Sequence, residues 1–416
     1  MKQPLILADN TTVLAGISVQ HENTQLGRLG LARDTTPVQL DPTRTGDDAS
    51  RLEDGLHRLV VGQDESIRQI VSVYQTYLAG MNAPGRPIGS FLFLGPSGTG
   101  KTRVIEAMAE TLLHDSSAVV KIDCAEFQHS HEIAKLLGSP PGYLGHRETH
   151  AALSQEALDE HQTEETPISL VLFDEIEKGS DALWNLLLGI LDKGVLTLGD
   201  NRKVDFSQCL IFMTSNLGAA EMEALASPGV GFAASAGSTD TATLRKCIQR
   251  VGTQAARKRF SPEFINRIDR TVVFHALGEP ELRRVLDLEL SRVQRLVLSG
   301  TPFLFELTDA ARDLVLEKGT DQKYGARHLK RSIDRLLVQP MANLVASRQI
   351  RSGDRIDVGC SDDGLQFQRI DEGLTRHQIH RAAGISFPMN EPLFDDYRPG
   401  GSSLEKEESA QEFLTR

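Results

Sequence analysis

The segment Gly95-Pro96-Ser97-Gly98-Thr99-Gly100-Lys101-Thr102 follows the pattern G-x-x-x-x-G-K-T, whose chemistry is the cradling of a phosphate chain. Its glycines let backbone N–H groups converge on phosphate oxygens, and the N-terminus of a following helix favours negative charge. Lys101 is expected to reach the β- and γ-phosphates of ATP, and the Thr102 hydroxyl to hold Mg²⁺. Further along, Leu170-Val171-Leu172-Phe173-Asp174-Glu175 is an apolar run closed by two carboxylates. Asp174 would then lie near Mg²⁺, directly or through water. Glu175 is left to orient and deprotonate an attacking water. An Asp-Glu pair after an apolar run is a weak signal alone. Downstream of a phosphate loop in an alternating fold it becomes strong.

Elements of alternating type must position these groups. Glu65 to Leu78 carries Ile67, Ile70, Val71, Tyr74 and Leu78 at helical spacing. Phe91 to Leu94 is an apolar run leading straight into the glycine loop, as a buried parallel strand would. Similar runs at Ala118 to Ile122, Ile168 to Phe173 and Leu210 to Thr214 alternate with helical stretches. That alternation predicts an α/β domain with a parallel sheet covered on both faces. The Ala/Gly/Ser-dense stretch Gly218 to Ser238 reads as an exposed loop. After Phe274 a long helix is expected over Glu279 to Leu298, then a strand at Phe303 to Leu307, further helices, and a strand pair near Arg355 to Val358 and Leu365 to Arg369. The resulting division is a weakly ordered arm over 1–50, a large ATPase domain over 51–276, a smaller, mainly helical C-terminal domain over 277–370, and a mobile polar tail over 371–416.

The chain of 416 residues is long enough for two or three folding units. Its 40% hydrophobic and 25% charged residues are ordinary for a globular protein. A formal net charge of -12 argues against a protein that tracks nucleic acid, which would need a basic face. No apolar run approaches the roughly 18 residues of a membrane helix, and no signal peptide is recognisable, so a cytoplasmic protein is expected. Cys124, Cys209, Cys247 and Cys360 have no short-spaced pair and read as buried reduced thiols. His129, His131, His146 and His150 invite a metal reading, but no carboxylate or cysteine completes a familiar ligand spacing. Trp184, in an apolar helix over Ala182 to Leu191, reads as core or interface.

With the phosphate loop and carboxylate strand in place, the sequence resembles the Clp family of AAA+ unfoldases, in particular the second ATPase module of its two-module members. The likeness covers about residues 55 to 370 and rests on separate segments in family order. Val60-Val61-Gly62-Gln63 is similar to the family's adenine-contacting segment, and Gly138-Ser139-Pro140-Pro141-Gly142-Tyr143-Leu144-Gly145 to its substrate-gripping pore loop. Thr214-Ser215-Asn216 is similar to sensor one, where the Asn helps to position water. Phe260 to Asp269 is similar to the segment bearing the arginine finger, which puts that role on Arg267, with Arg270 as a minor candidate. Tyr324-Gly325-Ala326-Arg327 is similar to sensor two. A guanidinium suits the charge of a phosphoryl transition state by bidentate contact, so Arg267 and Arg327 make chemical sense independently of the likeness. Only a single module is recognised, with no first ATPase module, adaptor domain, coiled-coil middle domain or zinc module.

The resemblance implies an AAA+ P-loop NTPase that binds ATP and Mg²⁺, assembles as a homo-oligomer (a hexameric ring) and threads unfolded or assembled protein clients past Tyr143 and Leu144. It also suggests docking to a Clp-type peptidase through Val230-Gly231-Phe232. The alternatives are a nucleic-acid motor or loader of the wider AAA+ group, and a nucleotide-gated scaffold that assembles without threading.

Overall fold

In the computed structural model, residues 39–138, 151–226, 241–319, 326–361 and 364–382 are described. Tyr143, Leu144, His146, His150, Val230, Gly231, Phe232, Tyr324 and Gly325 lie outside them, as do the arm before residue 39 and the tail after 382.

Helices α1 (Asp47–Leu59) and α2 (Asp64–Leu78) come first, each opening on two acidic residues that suit the positive end of the helix dipole. The start of α1 corrects the expected arm over 1–50. Ala49, Leu52 and Leu56 are buried at helical spacing, a stripe too short to stand out among the surrounding Asp and Thr. The chain then lays down β1 (Gly89–Leu94), α3 (Lys101–Leu112), β2 (Val120–Asp123), β3 (Ser169–Asp174), α4 (Asp181–Lys193) and an antiparallel hairpin, β4 (Val195–Thr197) with β5 (Lys203–Asp205). After β6 (Cys209–Ser215) come α5 (Ala219–Ala226), α6 (Thr241–Arg259), the short α7 (Pro262–Arg267) and β7 (Arg270–Val273).

Five strands form one sheet in the order β2-β3-β6-β1-β7, with every neighbouring pair parallel. The two-residue period of a strand sends alternate side chains to opposite faces. Phe91, Phe93, Phe212 and Phe274 fall on the face packed by α1, α2 and α3. Leu92, Leu94, Val171, Phe173, Ile211 and Met213 fall on the face that holds Trp184 and Leu187 of α4. Phe91 stacks on Phe212 with centroids 5.1 Å apart, and Phe93 meets Phe274 at 4.9 Å. All four are fully buried, where truncation to Ala typically costs about 3–5 kcal/mol. The other face is sealed by Trp184, whose Nε1 donates to the Ile176 carbonyl at 3.0 Å and whose ring meets the edge of Phe260 at 5.3 Å.

Beyond the sheet, α8 (Glu279–Ser299) is followed by β8 (Leu304–Leu307), α9 (Asp309–Gly319), α10 (Ala326–Ile333) and α11 (Gln339–Ala346). Strands β9 (Arg355–Ser361) and β10 (Gly364–Asp371) complete a small sheet in the order β10-β9-β8, in which β8 and β9 run parallel. Leu286, Leu329, Leu337 and Val358 fill its core.

Two further expectations are corrected. Part of the stretch read as a loop, Gly218 to Ser238, is α5, with Met222 buried. Its Ala and Glu residues are strong helix formers, misread because small residues continue on either side. The stretch expected to open a mobile polar tail at 371 instead holds the last residue of β10 and then α12 (Arg376–Ala382), with Ile379 fully buried. Of the four thiols only Cys124 and Cys209 are buried, while Cys247 is half-buried and Cys360 exposed. Burial pushes the Cys209 thiol up to about 12 and raises that of Cys124 further.

Candidate active site

The site forms where the C-terminal ends of β1, β3 and β6 meet. Strand β1 ends at Leu94, and the next residue must be glycine. At Gly95 φ is +149°, and a Cβ there would lie 2.6 Å from the Phe274 carbonyl oxygen. The loop is braced by Thr99, whose hydroxyl donates to the Pro96 carbonyl at 2.9 Å. Helix α3 begins at Lys101, so the amides of its first turn have no partner within the helix.

Lys101 is only 8% exposed. Its ammonium donates to the carbonyls of Gly95 at 2.6 Å and Pro96 at 2.9 Å, and to Asn216 Oδ1 at 2.9 Å. Burial pulls its pKa down to about 8, against the opposing pull of Asp174, Glu177 and Glu175. A buried cation beside the backbone of a glycine loop suits a multiply charged phosphate chain. The residues therefore fit a nucleotide, and the hydroxyl of Thr102 with the carboxylate of Asp174 offers the oxygen donors that a hard divalent cation takes.

The end of β3 and the end of β6 are tied together. The Thr214 hydroxyl donates to Asp174 Oδ1 and accepts from the Glu175 N–H at 3.1 Å. Glu175 occupies the left-handed region, with φ +54°, a conformation that costs energy in a non-glycine residue and recurs at functional sites. Its Oε2 is paired with the Lys178 ammonium, and its Oε1 accepts from Asn216 Nδ2 at 3.4 Å. Asn216 thus touches both Lys101 and Glu175, residues 115 and 41 positions away in sequence. The Asn216 N–H donates to Glu177 Oε1 at 3.1 Å. Thr214, Glu177 and Lys178 are participants that sequence reasoning did not single out. The signal available was their place within Asp174–Lys178 and Thr214–Asn216.

The smaller unit closes the site from the other side. The Ala326 N–H, at the start of α10, donates to the Gly98 carbonyl at 3.2 Å, and Arg327 Nη1 donates to Ser97 Oγ at 3.3 Å. Between the units lies a cleft of about 870 Å³, walled by Val60 and Val61 on one side and Leu277, Val285 and Leu288 on the other. Gly62 turns the chain in the left-handed region, at φ +75°, so that the buried Gln63 points into the loop. Gln63 Nε2 donates to the carbonyls of Thr99 and His275, both at 3.0 Å.

Arg267 is not among the residues lining this cleft. It sits at the opposite end of the sheet, where its carbonyl oxygen lies 3.5 Å from Ser90 Oγ and its guanidinium pairs with Asp192. Arg270 begins β7 opposite Phe91 and is also far from the loop. His129 and His131 stack with centroids 5.6 Å apart, away from the cleft walls.

Residues 86–271 match the AAA domain (Cdc48 subfamily), and residues 277–358 match the C-terminal, D2-small domain of ClpB protein. The chaperone protein ClpB of Rhodopseudomonas palustris is 39% identical over 317 residues, covering 76% of this chain and 34% of the relative. ClpB 1 of Nostoc sp. is 38% identical over 317 residues, with the same coverage of 76% and 34%. The S. cerevisiae Hsp104:casein complex in its extended conformation aligns with a TM-score of 0.66 at 27% identity, covering 78% of this chain and 53% of that one. A closed-state reconstruction of Hsp104 with ATPγS and FITC casein gives 0.65 at 28%, with coverage of 78% and 52%. The chain spans about a third of the length of these curated ClpB relatives, at 34%.

The chain belongs to the AAA+ ATPases, with the fold and the phosphate loop of that class. Within it, the chain is a homologue of the ClpB and Hsp104 chaperones and resembles a single module of them, the second, to which the D2-small match belongs.

Proposed function

We propose that the chain is an ATP-driven protein remodeller whose subunits complete one another's sites in a closed ring, most simply a hexamer, and draw polypeptide past Tyr143 and Leu144. The observation that carries assembly is the place of Arg267. From Ser90, beside Arg267, to Gly95 the chain runs five residues of β1, about 17 Å at strand rise. A guanidinium there cannot reach its own phosphate loop, so a phosphate contact must be made on a neighbour. Such head-to-tail contacts close into rings.

In this reading Val61 and Gly62 border the base, and Gly95 to Lys101 cradle the phosphates. Thr102 and Asp174 hold Mg²⁺, which neutralises charge on the phosphate oxygens. Glu175, once Lys178 has left its carboxylate, takes the proton of an attacking water that Asn216 helps to place. Arg327 reaches the phosphates from the same chain and Arg267 from the next. Protein clients are supported by the relatives, which are named as chaperones and, for Hsp104, as a complex with casein. A Clp-type peptidase at Val230-Gly231-Phe232 is not carried into this reading, because those relatives are named as chaperones.

The test mixes two inactive variants. Arg267→Ala should lose about 10³-fold in hydrolysis while still binding ATP. Adding Lys101→Ala should restore part of it, wherever an intact finger faces an intact cleft. The mixture staying inactive would refute action in trans. An unfolded labelled protein should then raise wild-type hydrolysis and be released in an altered conformation, with both effects lost in Tyr143→Ala. Salt-sensitive stimulation by DNA instead would identify a nucleic-acid motor. Rings indifferent to Tyr143→Ala would identify a scaffold.

A further inference from the structure

The Asp192 carboxylate, at the C-terminal end of α4, is the meeting point of two guanidiniums. Arg86 Nη2 donates to its Oδ1 at 3.2 Å, and Arg267 Nη1 donates to the same oxygen. We propose that Asp192 is a positioning residue for Arg267, with Arg86 as its standing counter-ion. The proposal rests on the reading of Arg267 as a group that acts on a neighbouring subunit's nucleotide.

The backbone beneath Arg267 is already fixed. Asp269 Oδ2 accepts from both the N–H and the hydroxyl of Ser90 at 2.8 Å, and the Asp269 N–H donates back to that hydroxyl at 3.0 Å. Helix α7 starts on a capped turn, with Ser261 Oγ accepting from the Phe264 N–H at 3.2 Å and Pro262 at its first turn. Phe264 is buried against Phe260, centroids 5.3 Å apart. What remains free is the long side chain of Arg267, whose rotamer entropy is among the largest of any residue. Asp192 removes that freedom before any neighbour arrives, which is how a positioning group contributes to catalysis.

Chemistry allows Asp192 to stay in place while Arg267 works. A guanidinium carries five N–H donors in a rigid fork, and the pairing with Asp192 uses one end of it, leaving Nη2 and Nε for a phosphate. A lone carboxylate beside the finger would repel the same phosphate. Arg86 answers this, because two guanidiniums and one carboxylate leave the cluster with a net positive charge. The fold delivers Arg86 to the spot. Helix α4 ends at Gly194 in the left-handed region, φ +57°, and a Cβ there would lie 3.0 Å from the Gly85 carbonyl oxygen. Glycine lets the Gly85-Arg86 segment pass close to the end of the helix that carries Asp192 without strain. The same helix carries Trp184, hydrogen-bonded to Ile176 just beyond Glu175. The group that holds the finger is thereby on a rigid element rooted beside the chain's own candidate base.

The experiment compares steady-state hydrolysis by the full chain in wild type, Asp192→Asn, Arg86→Ala and Arg86→Lys. Asp192→Asn should lower kcat about tenfold or more, since small displacements of a catalytic group cost up to about 10²-fold. KM for ATP should not change, because the chain's own cleft lies at the far end of the sheet. Arg86→Ala should lower kcat, and Arg86→Lys should recover most of it by restoring the charge. The loss from Asp192→Asn should shrink in an Arg267→Lys background, where no guanidinium fork remains to be oriented. An equal loss in both backgrounds, or a raised KM, would mean a merely structural role and overturn the proposal. A rise in kcat on Asp192→Asn would also overturn it, by showing that the pair restrains Arg267. If Arg267→Ala itself hydrolyses ATP normally, the trans reading fails before the role of Asp192 is reached.

Discussion

Nucleotide binding by this chain should weaken as pH rises through the pKa of Lys101. The ammonium is buried, and burial holds its pKa near about 8, below the ordinary lysine value of 10.5. A triphosphate set against the ammonium favours its charged form and returns the pKa to the ordinary range or above. Bound protein therefore keeps the proton across a window in which free protein sheds it. Between about pH 7 and about pH 9 the protonated share of free Lys101 falls from about nine-tenths to about one-tenth, given a pKa of about 8. Apparent affinity should fall about tenfold, equivalent to about 1.4 kcal/mol, with close to one proton taken up per nucleotide at the upper pH. The sign for stability runs the other way. Between about pH 8 and about 10.5 the unfolded chain binds more protons at this residue than the folded one, so the nucleotide-free fold gains stability as pH rises through that window. Calorimetric titration of ADP in buffers of different ionisation enthalpy measures both affinity and proton uptake. Lys101→Arg is the control, since a guanidinium keeps its proton throughout and should flatten the pH dependence. Equal affinities at the two pH values, with no proton uptake, would refute the reasoning.

Two shorter predictions concern catalysis and the joint behind the phosphate loop. Glu175→Gln should bind ATP with near-normal affinity yet hydrolyse it at least about 10²-fold more slowly, the usual cost of losing a general base. Near-normal single-turnover rates would show the base to be elsewhere. Gln63→Leu should leave the carbonyls of Thr99 and His275 without the donor they now share, costing about 1–3 kcal/mol in thermal or denaturant unfolding. Because Thr99 belongs to the phosphate loop, KM for ATP should rise with it, whereas an unchanged melting temperature would show that the network re-forms around water.

The parts of the molecule that were legible in sequence share a physical property: one local pattern determines them. The run Phe91 to Leu94 before Gly95 announces a strand and its turn together, because a buried parallel strand must be apolar on both faces and the turn after it tolerates only glycine. Asp174 and Glu175 stand out for the reverse reason, two charges at the end of a run that could not otherwise carry them. What stayed illegible is decided by distant neighbours. Lys178 lies three residues from Glu175, but its pairing depends on the left-handed turn at Glu175, which no periodicity reveals. The Thr214 bridge to Asp174 requires β3 and β6 to be adjacent, a fact of strand order. The short α5 was hidden by composition, since alanine favours helix while the small residues around it suggest a loop. Asp192 looks in sequence like any acid near a helix end, and only the fold brings Arg86 and Arg267 to it.

The geometry of the cleft also explains how binding in one place can move another. Its walls belong to two packed cores, one around the five-stranded sheet and one around α8 to α11. Among the described residues, the direct hydrogen bonds at the loop are the Ala326 N–H on the Gly98 carbonyl and the exposed Arg327 on Ser97. Beside them the two parts also pack directly, since a Cβ at Gly62 would lie 3.0 Å from the Glu281 side chain and 3.1 Å from that of Leu277. A nucleotide between Val61 and Leu277 would touch both units at once. Packed cores that share a ligand in this way can respond to its binding by hinge closure, with each core intact. Arg267 and Asp192 belong to the sheet-bearing body, at the end opposite the cleft. A change of angle at the cleft would therefore leave the Arg267–Asp192 cluster of the same chain undistorted. In the proposed ring it would alter instead where that cluster stands relative to a neighbour.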